Sequence, residues 1–206
     1  MSAARAADIE HRFLAVRHEE RIDALIGELR RDRDLALVFV RTKRGADRLV
    51  KRLGTEGLDA VAMHGNKSQR QREQALGAFE SGRVSTLVAT DVAARGIDVA
   101  GISHVINFDP PEDREGYVHR IGRTGRAGAT GIGITLVGPD QAHDVGRIAA
   151  GLKLHEEFEA SGLRVSTSHG GGGGSATATR RSARPQRGRG PGGGGGGRSQ
   201  RHSRGR

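Results

Sequence analysis

Three arginines and three glycines crowd the stretch Arg120-Ile121-Gly122-Arg123-Thr124-Gly125-Arg126-Ala127-Gly128. A guanidinium is a permanent cation whose planar fork of donors matches the oxygens of a phosphate. Arg123 and Arg126 stand three residues apart, a spacing that on a helical turn aims both side chains the same way, so that two forks converge on one anion. Gly122, Gly125 and Gly128 lend the backbone the freedom to approach a ligand closely. Composition alone leaves a second reading open, an exposed basic turn after a helix. Upstream, Thr90 offers a hydroxyl and the turn after it offers backbone amides, which suits phosphate contacts that fix position without reading bases. Asp98, eight residues on, can accept from a ribose hydroxyl.

The string from His119 to Arg126 resembles motif VI of the DEAD-box RNA helicases, and the string from Ala89 to Asp98 resembles motif V of the same family at its usual short distance upstream. Related helicase branches usually carry Gln where this chain has His119, which favours the DEAD-box group over the DEAH-box and RecQ-like groups. The segment around Arg41-Thr42-Lys43-Arg44 resembles motif IV, and Gln69-Arg70-Gln71-Arg72 resembles the small Gln-x-x-Arg motif. The resemblance runs from about Ile9 to Leu154 and covers only the second of the family's two RecA-like domains.

That resemblance implies an α/β domain of RecA-like, three-layer type with a central parallel sheet. It implies Arg123 and Arg126 as arginine fingers that close on the γ-phosphate of ATP, with Asp98 facing the nucleotide. It places Thr42, Gly65, Arg72 and Thr90 on an RNA backbone, without sequence preference. His119 and Arg120 would couple the two domains, Arg120 by bracing motif V or the interface. ATP and Mg2+ would be held mainly by an N-terminal RecA-like domain, because this sequence contains no Gly-Lys pair of a phosphate-binding loop and no Asp-Glu-Ala-Asp string. The chain alone is therefore expected to be inactive as an ATPase. The rival expectation is a non-enzymatic RNA-binding or annealing protein made of the orphan domain and its tail.

The elements needed to position these residues can be read from periodicity. Ile22, Leu25, Ile26 and Leu29 form one apolar stripe and predict a helix over Glu19 to Arg30. Leu35 to Val40 is an unbroken apolar run, as expected of a strand covered on both faces in a parallel sheet. Its exit holds Thr42 to Arg44 in a loop, after which Ala46, Leu49, Val50 and Leu53 predict a helix. Ala60 to Met63 is a strand that exits through His64 and Gly65, and Ser68 caps a helix over Gln69 to Glu80. Thr86 to Ala89 is a strand whose carboxyl end carries the loop from Thr90 to Asp98. His104 to Phe108 is a strand halted by Asp109-Pro110-Pro111, and Glu112 to Ile121 is the helix that delivers the arginines. Ile132 to Val137 is a last strand, followed by a helix from Asp140 to Leu152, and Ile9 to Val16 suggests an extended segment. Alternating strands and helices predict a parallel α/β domain but leave the strand order open.

Composition bounds the rest. The 206 residues and their 34% hydrophobic content suit one domain of ordinary size with a modest core. The formal charge of +10 is unevenly placed, since from His169 onward there are nine arginines and no acidic residue. The chain divides into a flexible start over 1–8, the helicase-like domain over 9–160 and a Gly/Arg-rich tail over 161–206, expected to be disordered and to attract RNA backbones. With no cysteine there is no disulfide or thiolate metal site, and the scattered histidines lack ligand spacing, so no metal site is expected. No signal-peptide pattern and no membrane-spanning apolar run is present, and a cytoplasmic location is expected.

Overall fold

The computed structural model describes residues 9–164. The segment 1–8 and the tail from residue 165 onward lie outside the described residues. Six strands, β1 (Ile9–Ala15), β2 (Leu35–Phe39), β3 (Ala60–Met63), β4 (Thr86–Ala89), β5 (Ile102–Asn107) and β6 (Gly131–Val137), form one sheet in the order β1-β6-β5-β2-β4-β3. Each neighbouring pair is parallel. Ile9–Ala15 runs in register with the whole of β6, so the weakly patterned start of the chain is an edge strand.

Alternation along β2 sets the layers. Ala36, Val38 and Val40 point to one face and pack with Leu25, Ile26 and Leu29 of α1 (Arg21–Leu29) and with Ala46, Leu49 and Leu53 of α2 (Lys43–Thr55). Leu37 and Phe39 point to the other face, which is covered by α3 (Gln69–Glu80), α4 (Asp91–Ala94), α5 (Arg114–Ile121), α6 (Ala142–Gly151) and α7 (His155–Ala160). Leu37 and Val38 are fully buried on their opposite faces. A two-residue period with both faces apolar is what a central parallel strand requires. The expected RecA-like three-layer architecture is therefore the one observed.

Three local differences from the sequence reading stand out, the first two of them at the site. Thr42 accepts a hydrogen bond from the Gly45 amide at 2.9 Å and caps α2, so Lys43 and Arg44 already belong to the helix and not to a loop. The chain after Thr90 turns at once into α4, and only Arg95 to Gly101 is irregular. A further helix, α7, buries Phe158 edge-on against Phe13 at 5.3 Å between ring centroids, and Leu163 packs beyond it on the same core. Among the described residues, no helix is long and apolar enough to cross a membrane.

Candidate functional site

All strands being parallel, β2, β3 and β4 deliver their exit residues to one edge of the sheet. Thr42 follows β2, Gly65 follows β3, and Thr90 follows β4 as the residue before α4. These strands are adjacent, with Phe39 paired to Ala89 and Ala89 to Met63, and the Thr90 amide donates to Met63 O at 3.3 Å. Ser68 caps α3 through the Gln71 amide, and Gln71 answers by accepting from the Ser68 amide, which fixes Arg72 in the first turn above the β3 exit. Arg72 Nε is buried without a hydrogen-bond partner. The four residues expected on RNA thus share the carboxyl edge of the sheet.

A lattice of short contacts holds that edge. Lys43 Nζ donates to Asn66 Oδ1 at 2.8 Å, and Lys67 Nζ donates to Asp47 Oδ1 at 2.9 Å. The other oxygen of Asp47 lies 3.0 Å from Nε2 of the buried His64, whose Nδ1 accepts from the Asn66 amide at 3.3 Å. The His64 and Lys67 contacts hold the Asp47 carboxyl below its ordinary range. None of this was legible from spacing, because Asp47 and His64 are unremarkable singly and meet only when α2 folds over the β3 exit.

The nucleotide candidates lie elsewhere. After α4 the chain runs back along the sheet, and Asp98 stands four residues before Ile102, the first residue of β5. It therefore belongs to the opposite end of the α4–α5 face from Thr90, although one short sequence string carries both. Helix α5 ends at Ile121, so Arg123 and Arg126 are not on one helical turn as their spacing suggested. Gly125 adopts a left-handed conformation, φ 67°, and Arg126 opens a separate single 3-10 turn. Convergence comes instead from the loop before β5. Arg123 Nη1 donates to Ile97 O at 2.9 Å, and Arg126 pairs with Asp98 through Nη1. Thr124, buried between the arginines, donates to the Ile102 carbonyl and anchors the turn to the start of β5. Burial, and next the neighbouring Arg126, push Arg123 below its ordinary value, with Asp98 opposing.

Arg120 ties the last turn of α5 to the carboxyl edge. Its side chain is buried and reaches back toward the carboxyl edge, where Nε and Nη2 clasp both oxygens of Asp91 at 2.6 and 2.7 Å. Nη1 donates to Asn107 Oδ1 at 3.0 Å and to Asp109 O at 2.7 Å, and the guanidinium sits 4.9 Å from the Phe39 ring centroid. Asp109 in turn accepts from the Arg41 amide at 2.8 Å, next to Thr42. One arginine thus joins motif V, motif VI and the strand exits. Asp91, Asn107 and Asp109 were not singled out from sequence, since their only signal is a partner 11 to 29 residues away. His119 is exposed, 3.9 Å from Glu115 on the same helix. It lines a groove of about 550 Å³ with Asp91, Gly96, Arg120 and Arg123.

Comparison with known proteins bears on the domain as a whole. The profile described as the helicase conserved C-terminal domain matches residues 18–128. The DEAD-box ATP-dependent RNA helicase CshA of Bacillus subtilis is 47% identical over 134 residues, which are 65% of this chain and 27% of that protein. The chain thus spans about a quarter of the length of such relatives. Among solved structures, the Escherichia coli DEAD-box protein SrmB, bound to regulator of ribonuclease activity A, superposes with a TM-score of 0.64 at 37% identity, over 69% of this chain and 86% of that one. Saccharomyces cerevisiae Dbp5 bound to RNA and ADP BeF3 superposes with a TM-score of 0.64 at 30% identity, over 70% of this chain and 39% of that one.

Proposed function

The chain belongs to the DEAD-box helicases and carries their conserved C-terminal helicase domain, and from that premise we propose that it supplies one wall of a split ATP site and half of an RNA-binding surface for ATP-driven separation of RNA strands. The observation that carries the reading is the division of the candidate residues into two groups. Thr42, Gly65, Arg72 and Thr90 occupy the carboxyl edge, Asp98, Arg123 and Arg126 cluster at the other end of the α4–α5 face, and Arg120, on the helix that leads to Arg123, binds Asp91 beside Thr90. An RNA backbone and a nucleotide can then be engaged at once, and a movement of either group is felt by the other through the Arg120–Asp91 clasp.

In this reading Arg123 and Arg126 meet negative charge that develops on the transferring γ-phosphoryl group. Asp98 is 86% exposed in its pair with Arg126, and a pair so exposed to water is weak. A triphosphate therefore takes the Arg126 guanidinium over and frees Asp98 for a ribose hydroxyl. ATP with Mg2+ supplies the phosphoryl group and neutralises its charge when bound. The residues here fit only one side of such a ligand. They offer cations, while among the described residues no group of three or more His, Asp or Glu is arranged to hold a metal, and the sequence has no Gly-Lys pair. A partner N-terminal RecA-like domain completes the site, His119 lies on the groove facing it, and the Gly/Arg-rich segment 161–206 adds sequence-independent attraction for RNA. A purely annealing protein would use the carboxyl edge and the tail but leaves the Asp98, Arg123 and Arg126 cluster without a task.

Arg72→Ala tests the RNA face. In a protein joining this chain to a compatible N-terminal RecA-like domain, the loss of one charge-assisted phosphate contact should raise the RNA concentration for half-maximal ATPase stimulation by about tenfold. Turnover at saturating RNA should hold. An unchanged half-saturation with a fall in turnover would move Arg72 from the RNA face to the chemistry.

A further inference from the structure

Helix α2 breaks two rules that govern a helix selected for stability alone. Its first turn contains no acidic residue and instead begins with Lys43 and Arg44, placing cations at the positive end of the helix dipole. Arg44, Arg48 and Lys51 then follow at i, i+4 and i+7, a spacing that stacks like charges on one face and is itself destabilising. All three are exposed, while Ala46, Leu49 and Leu53 on the opposite face are buried against the sheet. The stripe consequently looks outward along the helix for about 10 Å, at 1.5 Å of rise per residue.

The acidic residues that would neutralise this stripe are engaged elsewhere. Asp47, the only acidic residue of α2, is turned to His64 and Lys67. Glu56, just past the helix, pairs with Arg30 and Arg52. No ion pair within 4.0 Å forms to Arg44, Arg48 or Lys51 among the described residues, whereas some exposed arginines elsewhere, such as Arg17, Arg31 and Arg147, have carboxylate partners. The stripe also begins two residues after Thr42, at the carboxyl edge where the expected RNA contacts gather.

We propose that the Arg44, Arg48 and Lys51 face of α2 is a second phosphate track, which carries the RNA backbone away from the carboxyl edge of the sheet. It extends the proposed RNA-binding function from the motif IV-like segment, which ends at Arg44, along the outer face of α2 through Arg48 and Lys51, and rests on that reading. Backbone phosphates at regular intervals fit three cations spaced along one helix face, and such contacts are read as salt dependence and not as sequence preference. The track would lengthen the RNA footprint and hold the flank of a strand while the sheet edge engages its centre.

The test compares the full 206-residue chain with the R44A/R48A/K51A variant and with R83A/R147A/K153A, which removes the same number of charges from the segments that cover the opposite face of the sheet. The tail is present in all three, so its contribution cancels. Alanine at the exposed helical sites of α2 keeps helix propensity high, and far-UV circular dichroism checks that the fold is retained in both triple variants. Binding to a single-stranded RNA is measured against salt concentration. The α2 variant should lose about 2 from the magnitude of the log-log slope, three contacts at roughly 0.7 each, with the control near the wild type. The charge-retaining R44K/R48K/K51R variant should keep the wild-type slope. Equal slopes for the wild type and the α2 variant, or an equal fall in both triple variants, would overturn the track. So would a loss of binding to phosphatidylserine vesicles with no change on RNA, which would make the face a membrane contact. A wild-type chain without salt-dependent RNA binding would instead remove the RNA reading itself.

Discussion

Arg126→Ala, placed in a protein that joins this chain to a compatible N-terminal RecA-like domain, should lower ATP turnover by about 10³-fold or more, with Arg123→Ala close behind. The expectation follows from what the two guanidinium groups are proposed to meet. A finger that stabilises charge only as it develops lowers kcat and kcat/KM together when removed, whereas a group that binds substrate and transition state equally changes KM alone. Arg126→Lys should restore little, because one ammonium cannot reproduce a planar fork with two donors toward neighbouring oxygens. Steady-state kinetics at saturating RNA separate the cases. A raised KM with unchanged kcat would assign Arg126 to ground-state binding. RNA affinity without nucleotide should hardly move, since the Arg123 and Arg126 cluster is anchored at the start of β5, away from Thr42, Gly65, Arg72 and Thr90.

Arg120→Ala should cost the chain about 3 kcal/mol of unfolding free energy, the lower end of the range for breaking a buried ion pair. The lower end applies because the Asp91 side chain is 49% exposed and can recover water when its partner leaves. Asn107 has no such recourse. It is fully buried, and while its amide donates to Thr135 Oγ1 at 3.0 Å, its carbonyl relies on Arg120. The Phe39 ring would lose its cation, and a cavity would open at the junction of β2, β5, α4 and α5. Urea denaturation measures the difference directly. A loss below about 1 kcal/mol would show that the clasp is loose and unsuited to transmitting movement between the two ends of the face.

The layers of this fold were legible because burial on both faces leaves a strong mark on a strand. Leu35 to Val40, Thr86 to Ala89 and Ile132 to Val137 are apolar runs without helical period, and β2, β4 and β6 fall on them. Helices α4 and α7 left little mark, because four and six residues hold too few inward positions to make a period. Strand order stayed open, since parallel crossovers write nothing local into the chain. The site divides in the same way. Type and spacing paired Arg123 with Arg126, the resemblance added Asp98, and the structure brings the three together, but through Ile97 and Asp98 instead of a shared helical turn. The separation of Asp98 from Thr90 depends on α4 turning the chain back along the sheet, which no spacing within the string could report. The Arg120 clasp and the Asp47–His64 contact depend on tertiary folding alone.

ATP hydrolysis with and without RNA, measured for the chain alone and for the chain joined to a compatible N-terminal RecA-like domain, tests most directly whether this domain is one wall of a split site. The chain alone should release no phosphate above background. The joined protein should turn over at roughly 1 s⁻¹ or faster once RNA is present. Turnover at that rate by the chain alone, or none by a joined protein that folds and binds RNA, would contradict the account.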